Sequence, residues 1–175
     1  MGCQPWRYGS PGVNSVITCR FESGHGAALR HVVTDNIVLR GNEVLLVKRS
    51  QHLLEGGKWA LVGGFVERDE TLPQAAAREI LEETGYRIRD IALLRIIDRP
   101  DRPGEDRQNI SFVHMCVAGE KVGMADDESD EQRWFSLAAL PQASEIAFDH
   151  FESLELFSAY RRQPFDLPLY GHSQR

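Results

Sequence analysis

The sequence predicts an α/β (α+β) domain: a mixed β-sheet with two main helices, one mid-chain and one near the end. Three observations lead there. β-rich runs recur from His31 onward, the first two separated by a Gly41-Asn42 turn. A capped segment rich in Ala and Glu covers residues 71–85. A second capping pattern opens at Asp149.

Residues 1–30 are rich in Gly, Ser and Pro and show no clear period, although Val16–Phe21 has the composition of a short strand. This leader reads either as a mobile segment or as a packing arm for a dimer. HVVTDNIVLR (31–40) and EVLLVKR (43–49) are then two strands of a hairpin, and Trp59–Val62 is a further short strand. Thr71 and Gln74 form a Thr-x-x-Gln capping box, with Pro73 in the first turn, where its missing N–H is harmless. Gln74–Thr84 is made of good helix formers, and Gly85 stands just past the end, so a helix of about three turns is expected.

YRIRDIALLRIID (86–98) reads as one or two extended runs. The charged loop RPDRPGEDRQ (99–108) precedes a strand, NISFVHMCVAG (109–119). Acidic residues 126–131 precede a short strand at Gln132–Phe135, and Leu140-Pro141 makes a break. The last helix opens at Asp149, whose spacing to Glu152 is an Asp-x-x-Glu capping box. The tail after Gln163 is Pro-rich and is expected to be loose. The division is therefore a leader (1–30), a domain (31–163) and a tail (164–175).

At 175 residues, with 42% hydrophobic content, the chain fits one packed domain with extra at its ends. A net charge of −6 argues against a general nucleic-acid binder. An anionic substrate would have to be drawn locally by Arg, Lys and metal. No apolar run approaches a membrane span, and the N-terminal residues lack the apolar core of a signal peptide. Cys3, Cys19 and Cys116 are widely separated, as suits reduced thiols in the cytoplasm, and with His25 and His31 they lack paired zinc-ligand spacing.

The most informative stretch is GFVERDETLPQAAAREILEETGY (64–86). Gly64 is followed at fixed spacings by Glu70, by Arg78-Glu79-Ile80-Leu81-Glu82-Glu83 and by Thr84-Gly85-Tyr86. On a helix, Glu79, Glu82 and Glu83 fall at i, i+3 and i+4 and share one face. Taken alone, such a face is as consistent with a solvated acidic surface. Leu72, Ala76 and Ile80 form an adjacent stripe suited to packing on a sheet. The Gly63-Gly64 pair lets a backbone carbonyl approach the carboxylates. Such hard oxygen donors suit Mg²⁺ or Mn²⁺ rather than zinc. Arg78 is spaced to reach Glu82 at i+4 and Glu70 across the loop.

This pattern resembles the Nudix box, the signature of hydrolases that cut nucleoside diphosphates linked to another moiety. Tyr86 stands where an aliphatic residue is more usual. The resemblance covers about residues 31–163 and implies an α/β/α sandwich. It also implies a small-molecule nucleotide substrate, a Mg²⁺ cofactor replaceable by Mn²⁺, and, as a family habit, a homodimer. Glu79, Glu82, Glu83 and the Gly64 carbonyl would hold the metal. The general base would be a glutamate of the box or one on a later stretch, Glu128 or Glu131. Arg49 resembles a position that meets substrate phosphate. Arg78 joins it as a substrate-side candidate, as do Arg99, Arg102 and Arg107 on the charged loop.

LLVKRS (45–50), GKWALVGGFVE (57–67), WFSLAALP (134–141) and AFDH (147–150) are similar to the ADP-ribose pyrophosphatase-like branch, with Val62 where Pro is usual. AMP and ribose 5-phosphate are then the expected products. NADH, dinucleoside polyphosphates, damaged triphosphates and a non-catalytic nucleotide sensor are the alternatives. Within AFDH, Asp149 also reads as a helix cap, Phe148 as core and His150 as an exposed first-turn residue. Trp59 and Phe65 are candidates for stacking on a base, but Trp59, in a strand, reads first as core. No Gly-x-Ser-x-Gly occurs and Cys116 lies in an apolar strand, so water is the expected nucleophile.

Overall fold

The computed structural model describes residues 17–104, 108–123 and 129–170. Its first element is a separate two-stranded antiparallel ladder, β1 (Ile17–Arg20) with β2 (Gly26–Leu29). β3 (Val32–Arg40) and β4 (Glu43–Arg49) make the expected hairpin, with Arg40 opposite Glu43. β5 (Trp59–Ala60) pairs with β4, and β6 (Val62–Phe65) pairs with β3. The expected strand at 59–62 is thus divided at Leu61 between two neighbours, and its second part runs on through Gly63-Gly64, which are ladder residues.

Helix α1 (Leu72–Thr84) begins and ends where its capping residues require. The Gln74 side-chain oxygen accepts the Thr71 N–H at 2.8 Å. Gly85 takes the left-handed conformation, φ 76°, and donates its N–H to Leu81 O. A Cβ at Gly85 would lie 2.2 Å from Gly123 O, so backbone approach as well as φ demands glycine there. β7 (Tyr86–Ile97) is one strand with register shifts, and β8 (Ile110–Lys121) lies antiparallel to it. β9 (Ser129–Ser136) pairs with β4 and is longer than the sequence suggested. Helix α2 (His150–Arg162) follows.

The segment after Gln163 is not loose throughout. β10 (Leu169–Tyr170) runs parallel to β7, with Leu169 opposite Arg95. β3 and β8 are also parallel, so the sheet is mixed, in the order β10-β7-β8-β3-β4-β5 with β6 on β3 and β9 on β4.

Side-chain alternation along the central strands produces the layers. Ile37, Val44 and Leu46 join a buried cluster with Leu154 and Phe157 of α2. Val38, Leu45 and Val47 point the other way, into a cluster with Ile80 of α1. The two helices therefore cover opposite faces, in an α/β/α sandwich. Each fully buried Leu or Ile in these clusters contributes about 1.5–3 kcal/mol. Within α1, Ala76 and Ile80 of the expected stripe are buried and Leu72 is half-buried. Among the described residues, no helix is long and apolar enough to cross a membrane.

Candidate active site

The Gly63-Gly64 pair joins the sheet to the acidic helix by two close approaches. A Cβ at Gly63 would stand 2.0 Å from the Thr34 carbonyl oxygen of the neighbouring strand. A Cβ at Gly64 would stand 2.5 Å from the carboxyl carbon of Glu79. The first contact is with backbone and cannot yield. The second is with the end of a side chain and can. Gly64→Ala is therefore expected to keep the fold and displace Glu79, lowering kcat by about a hundredfold. Thermal melting and kcat measured on one preparation check this. A large fall in Tm, or unchanged kcat, would count against it.

Arg78 organises the acidic residues. Its Nε donates to Glu70 Oε2 at 3.1 Å and one terminal nitrogen to Glu70 Oε1 at 2.7 Å. The other terminal nitrogen donates to Glu79 at 2.9 Å and to Glu82 at 3.1 Å. A further bond reaches the Phe65 carbonyl at 3.0 Å. Both contacts foreseen from spacing, to Glu82 and Glu70, are present. The bonds from Arg78 hold the Glu70 carboxyl below its usual range, against a smaller opposing effect of burial, with the Glu67 N–H adding to the lowering. Glu83 lies on the same helix and is buried. One guanidinium thus ties loop, strand end and helix face together, and offsets repulsion among neighbouring carboxylates.

The other predicted residues that the structure describes have partners of their own. Arg49, at the end of β4, donates from Nε to Leu54 O at 2.8 Å, and its guanidinium carbon lies 5.0 Å from the Phe148 ring centroid. Arg99 is held by Asp101, at 3.0 Å. Glu131 stands within β9, and its carboxylate bonds Arg133 at 2.5 Å. Arg107 and Glu128 lie outside the described residues. Trp59 is core, 8% exposed. Phe65 is exposed and its ring centroid lies 4.8 Å from that of His31. The Cys116 thiol is pushed up to about 12 by burial, which suits an inert packing residue.

A buried ionic network escaped the sequence reading. Arg102, on the loop after β7, reaches Asp35 of β3 at 2.8 Å and Asp149, ahead of α2, at 2.9 Å through Nε. Ser111 of β8 donates to Asp35 at 2.5 Å. His150 accepts the Leu61 N–H on Nδ1 at 3.0 Å, so Nε2 carries the ring hydrogen that faces Asp35 at 3.3 Å. Burial alone would raise the Asp35 carboxyl. The Arg102 charge, with bonds from His150 and Ser111, outweighs it and holds the group well below its usual range. Asp149 precedes α2, but its side chain serves Arg102 and makes no cap bond, so the expected capping box does not form. His150 is buried, not an exposed first-turn residue. The available signals were an Asp in the middle of an apolar strand and the AFDH string.

Asp35 lies opposite Gly63 in the β3–β6 ladder. The network therefore backs the same strand that carries Gly64. Phe148 next to it has φ 54°, a conformation that costs a bulky residue about 1–3 kcal/mol.

The oxygen groups gathered at the centre are the carboxylates of Glu70, Glu79 and Glu82 and the Phe65 carbonyl, all joined through Arg78. Among the described residues, no three His, Cys, Asp or Glu side chains converge into a ready ion cage. A hard divalent ion takes oxygen donors of this kind and completes its shell with water and substrate phosphate. The approach of the Gly64 backbone to Glu79 is the feature that fits such an ion here.

A model of the NUDIX domain matches residues 29–157. The chain belongs to the Nudix family. Members of this family hydrolyse pyrophosphate bonds in nucleotide-linked substrates and generally need a divalent metal ion. This Nudix chain is 39% identical over 120 residues to an ADP-ribose pyrophosphatase of Methanocaldococcus jannaschii, covering 68% of each chain. It is 35% identical over 105 residues to the NAD-capped RNA hydrolase NudC of Pseudomonas aeruginosa, covering 60% of this chain but only 36% of that protein. A crystal structure of a NUDIX hydrolase from Nitrosomonas europaea superimposes with a TM-score of 0.69 at 25% identity, covering 95% of this chain and 99% of the other.

Proposed function

We propose that this Nudix enzyme hydrolyses ADP-ribose to AMP and ribose 5-phosphate with Mg²⁺, which Mn²⁺ can replace. The observation that carries the reading is the Gly64 backbone set against the Glu79 carboxylate, on a helix that also bears Glu82 and Glu83. The likeness to an ADP-ribose pyrophosphatase over two-thirds of the chain supports the choice of substrate.

Glu79, Glu82, Glu83 and the Gly64 carbonyl would hold the metal. A bound divalent ion supplies neutralisation of pyrophosphate charge and makes water easier to ionise. Arg78 keeps Glu79 and Glu82 in fixed orientation, and the family role we assign it is toward this cluster and the substrate beyond it. Arg49 and Arg99 supply local positive charge for the phosphates of a substrate that a net-negative protein would repel, with Arg107 assigned alongside them. Water is the nucleophile. A carboxylate accepts its proton as the oxygen attacks phosphorus, and the bridging P–O bond breaks to release the other phosphate. A glutamate of the box is favoured as base. Glu131, held by Arg133, is the outlying candidate.

A second reading comes from the NudC relatives. The NAD moiety contains the same pyrophosphate bond, so NADH belongs in the first test. The spacing of the cysteines supports a cytoplasmic setting. The deciding experiment is product analysis with Mg²⁺ and ADP-ribose, NADH, a dinucleoside polyphosphate, a sugar nucleotide and dNTPs. AMP plus ribose 5-phosphate from ADP-ribose is expected. Turnover of another compound alone would replace the substrate. Tight binding of one compound without turnover of any would favour a nucleotide sensor.

A further inference from the structure

Phe148 is the member of the 147–150 string with an unusual backbone. Its left-handed backbone, φ 54°, is one that bulky residues rarely hold. The surroundings pin it there. Ala147 donates its N–H to Trp59 O at 2.8 Å, Asp149 takes Arg102 at 2.9 Å, and the His150 ring takes the Leu61 N–H at 3.0 Å. Strain held in this way clusters at functional positions.

The ring has a definite neighbourhood. The Arg49 guanidinium carbon is 5.0 Å from its centroid and that of Arg102 is 5.7 Å. Phe148 packs against the cluster that contains Ile80 of α1, the residue next to Glu79. The ring and the acidic helix therefore lie on one side of the sheet. Arg49 is constrained by the ring and by its Nε bond to Leu54 O at 2.8 Å. A guanidinium held by an aromatic face and a carbonyl has a fixed direction for its fork of donors.

We propose that Phe148 is a positioning residue that holds Arg49 as the cationic anchor for the diphosphate of the nucleotide substrate. The proposal rests on the hydrolytic reading above and adds a residue to it. A guanidinium already fixed in direction loses less side-chain freedom when it grips a phosphate. The effect of losing the ring therefore falls on binding.

The test compares Phe148→Leu, Phe148→Tyr, Arg49→Ala and the double variant Phe148→Leu/Arg49→Ala. Leu keeps apolar bulk and loses the aromatic face, whereas Tyr keeps that face. KM and kcat are measured, with Kd for ADP by calorimetry and Tm as a control. Phe148→Leu is expected to raise KM and the ADP Kd about three- to tenfold, with kcat changed less than about twofold. Phe148→Tyr should restore both constants. In the Arg49→Ala background, Phe148→Leu should add nothing further. Unchanged KM and Kd in Phe148→Leu, an equal loss in Phe148→Tyr, or a full additional loss in the double variant would each overturn the proposal. So would wild-type protein that binds no ADP. If the wild type binds ADP but does not cleave ADP-ribose, the substrate reading fails, and the ADP Kd series still decides the role of Phe148.

Discussion

Glu83→Gln will keep the fold and lower kcat by about 10²–10⁴-fold. The substitution is nearly isosteric, so the buried position on α1 stays filled. What it removes is the carboxylate charge, and with it the proposed metal donor and candidate proton acceptor. Both functions belong to the chemical step, so the loss is expected in kcat. The measurement is steady-state kinetics on ADP-ribose across a Mg²⁺ titration, with far-UV circular dichroism and Tm as controls for folding. A loss of less than about tenfold would remove Glu83 from the assigned site. A loss that excess Mg²⁺ repairs would make Glu83 a metal donor and leave the proton to another glutamate.

Arg102→Met will destabilise the protein by about 3–5 kcal/mol at neutral pH. Arg102 is 5% exposed and sits between two carboxylates, Asp35 and Asp149. Met matches much of its volume, but the two acids would be left in the interior without their cation. For a chain of this size the expected fall in Tm is about 6–20 °C. A fall of under about 2 °C would mean that water or another cation reaches the site.

The pH dependence follows from the sign of the Asp35 shift. Its folded carboxyl lies well below the usual value, because Arg102 and the donated hydrogen bonds overcome burial. Its contribution is therefore fully present above the unfolded value of about 3.9, and is lost as pH falls through the folded pKa. In Arg102→Met the main lowering influence is gone and burial raises the carboxyl. The deficit of the variant should then be largest near pH 7 and shrink toward pH 4, where protonation neutralises the buried acid. Denaturant titrations at both pH values test this. A deficit independent of pH would assign the loss to packing.

Much of the molecule was legible along the chain because its signals are local. The Thr71–Gln74 box, Pro73 and Gly85 bound α1 through contacts within a few residues of each helix end. Gly41-Asn42 sets the first hairpin in the same way. The reach of Arg78 to Glu82 needs only helical spacing. The reading failed where a residue's partner lies far along the chain. Asp149 has the spacing of a helix cap, yet it faces a stronger partner in Arg102, 47 positions away. His150 follows it into the interior because Leu61 N–H donates to its ring Nδ1 and Asp35 faces its Nε2. Leu169 and Tyr170 lie in a Pro-rich tail, but the open edge of β7 offers them backbone partners.

The sequence by itself determined the helix bearing Glu79, Glu82 and Glu83, the glycines ahead of it and the family they signal, since each depends on short-range geometry and fixed spacing. Only the tertiary structure decided which charges are buried together. That outcome turns on parallel pairing of β3 with β8 and on the loop that folds Arg102 beneath Phe148. Burying a carboxylate is unfavourable until its cation arrives, and here the cation comes from a distant part of the chain.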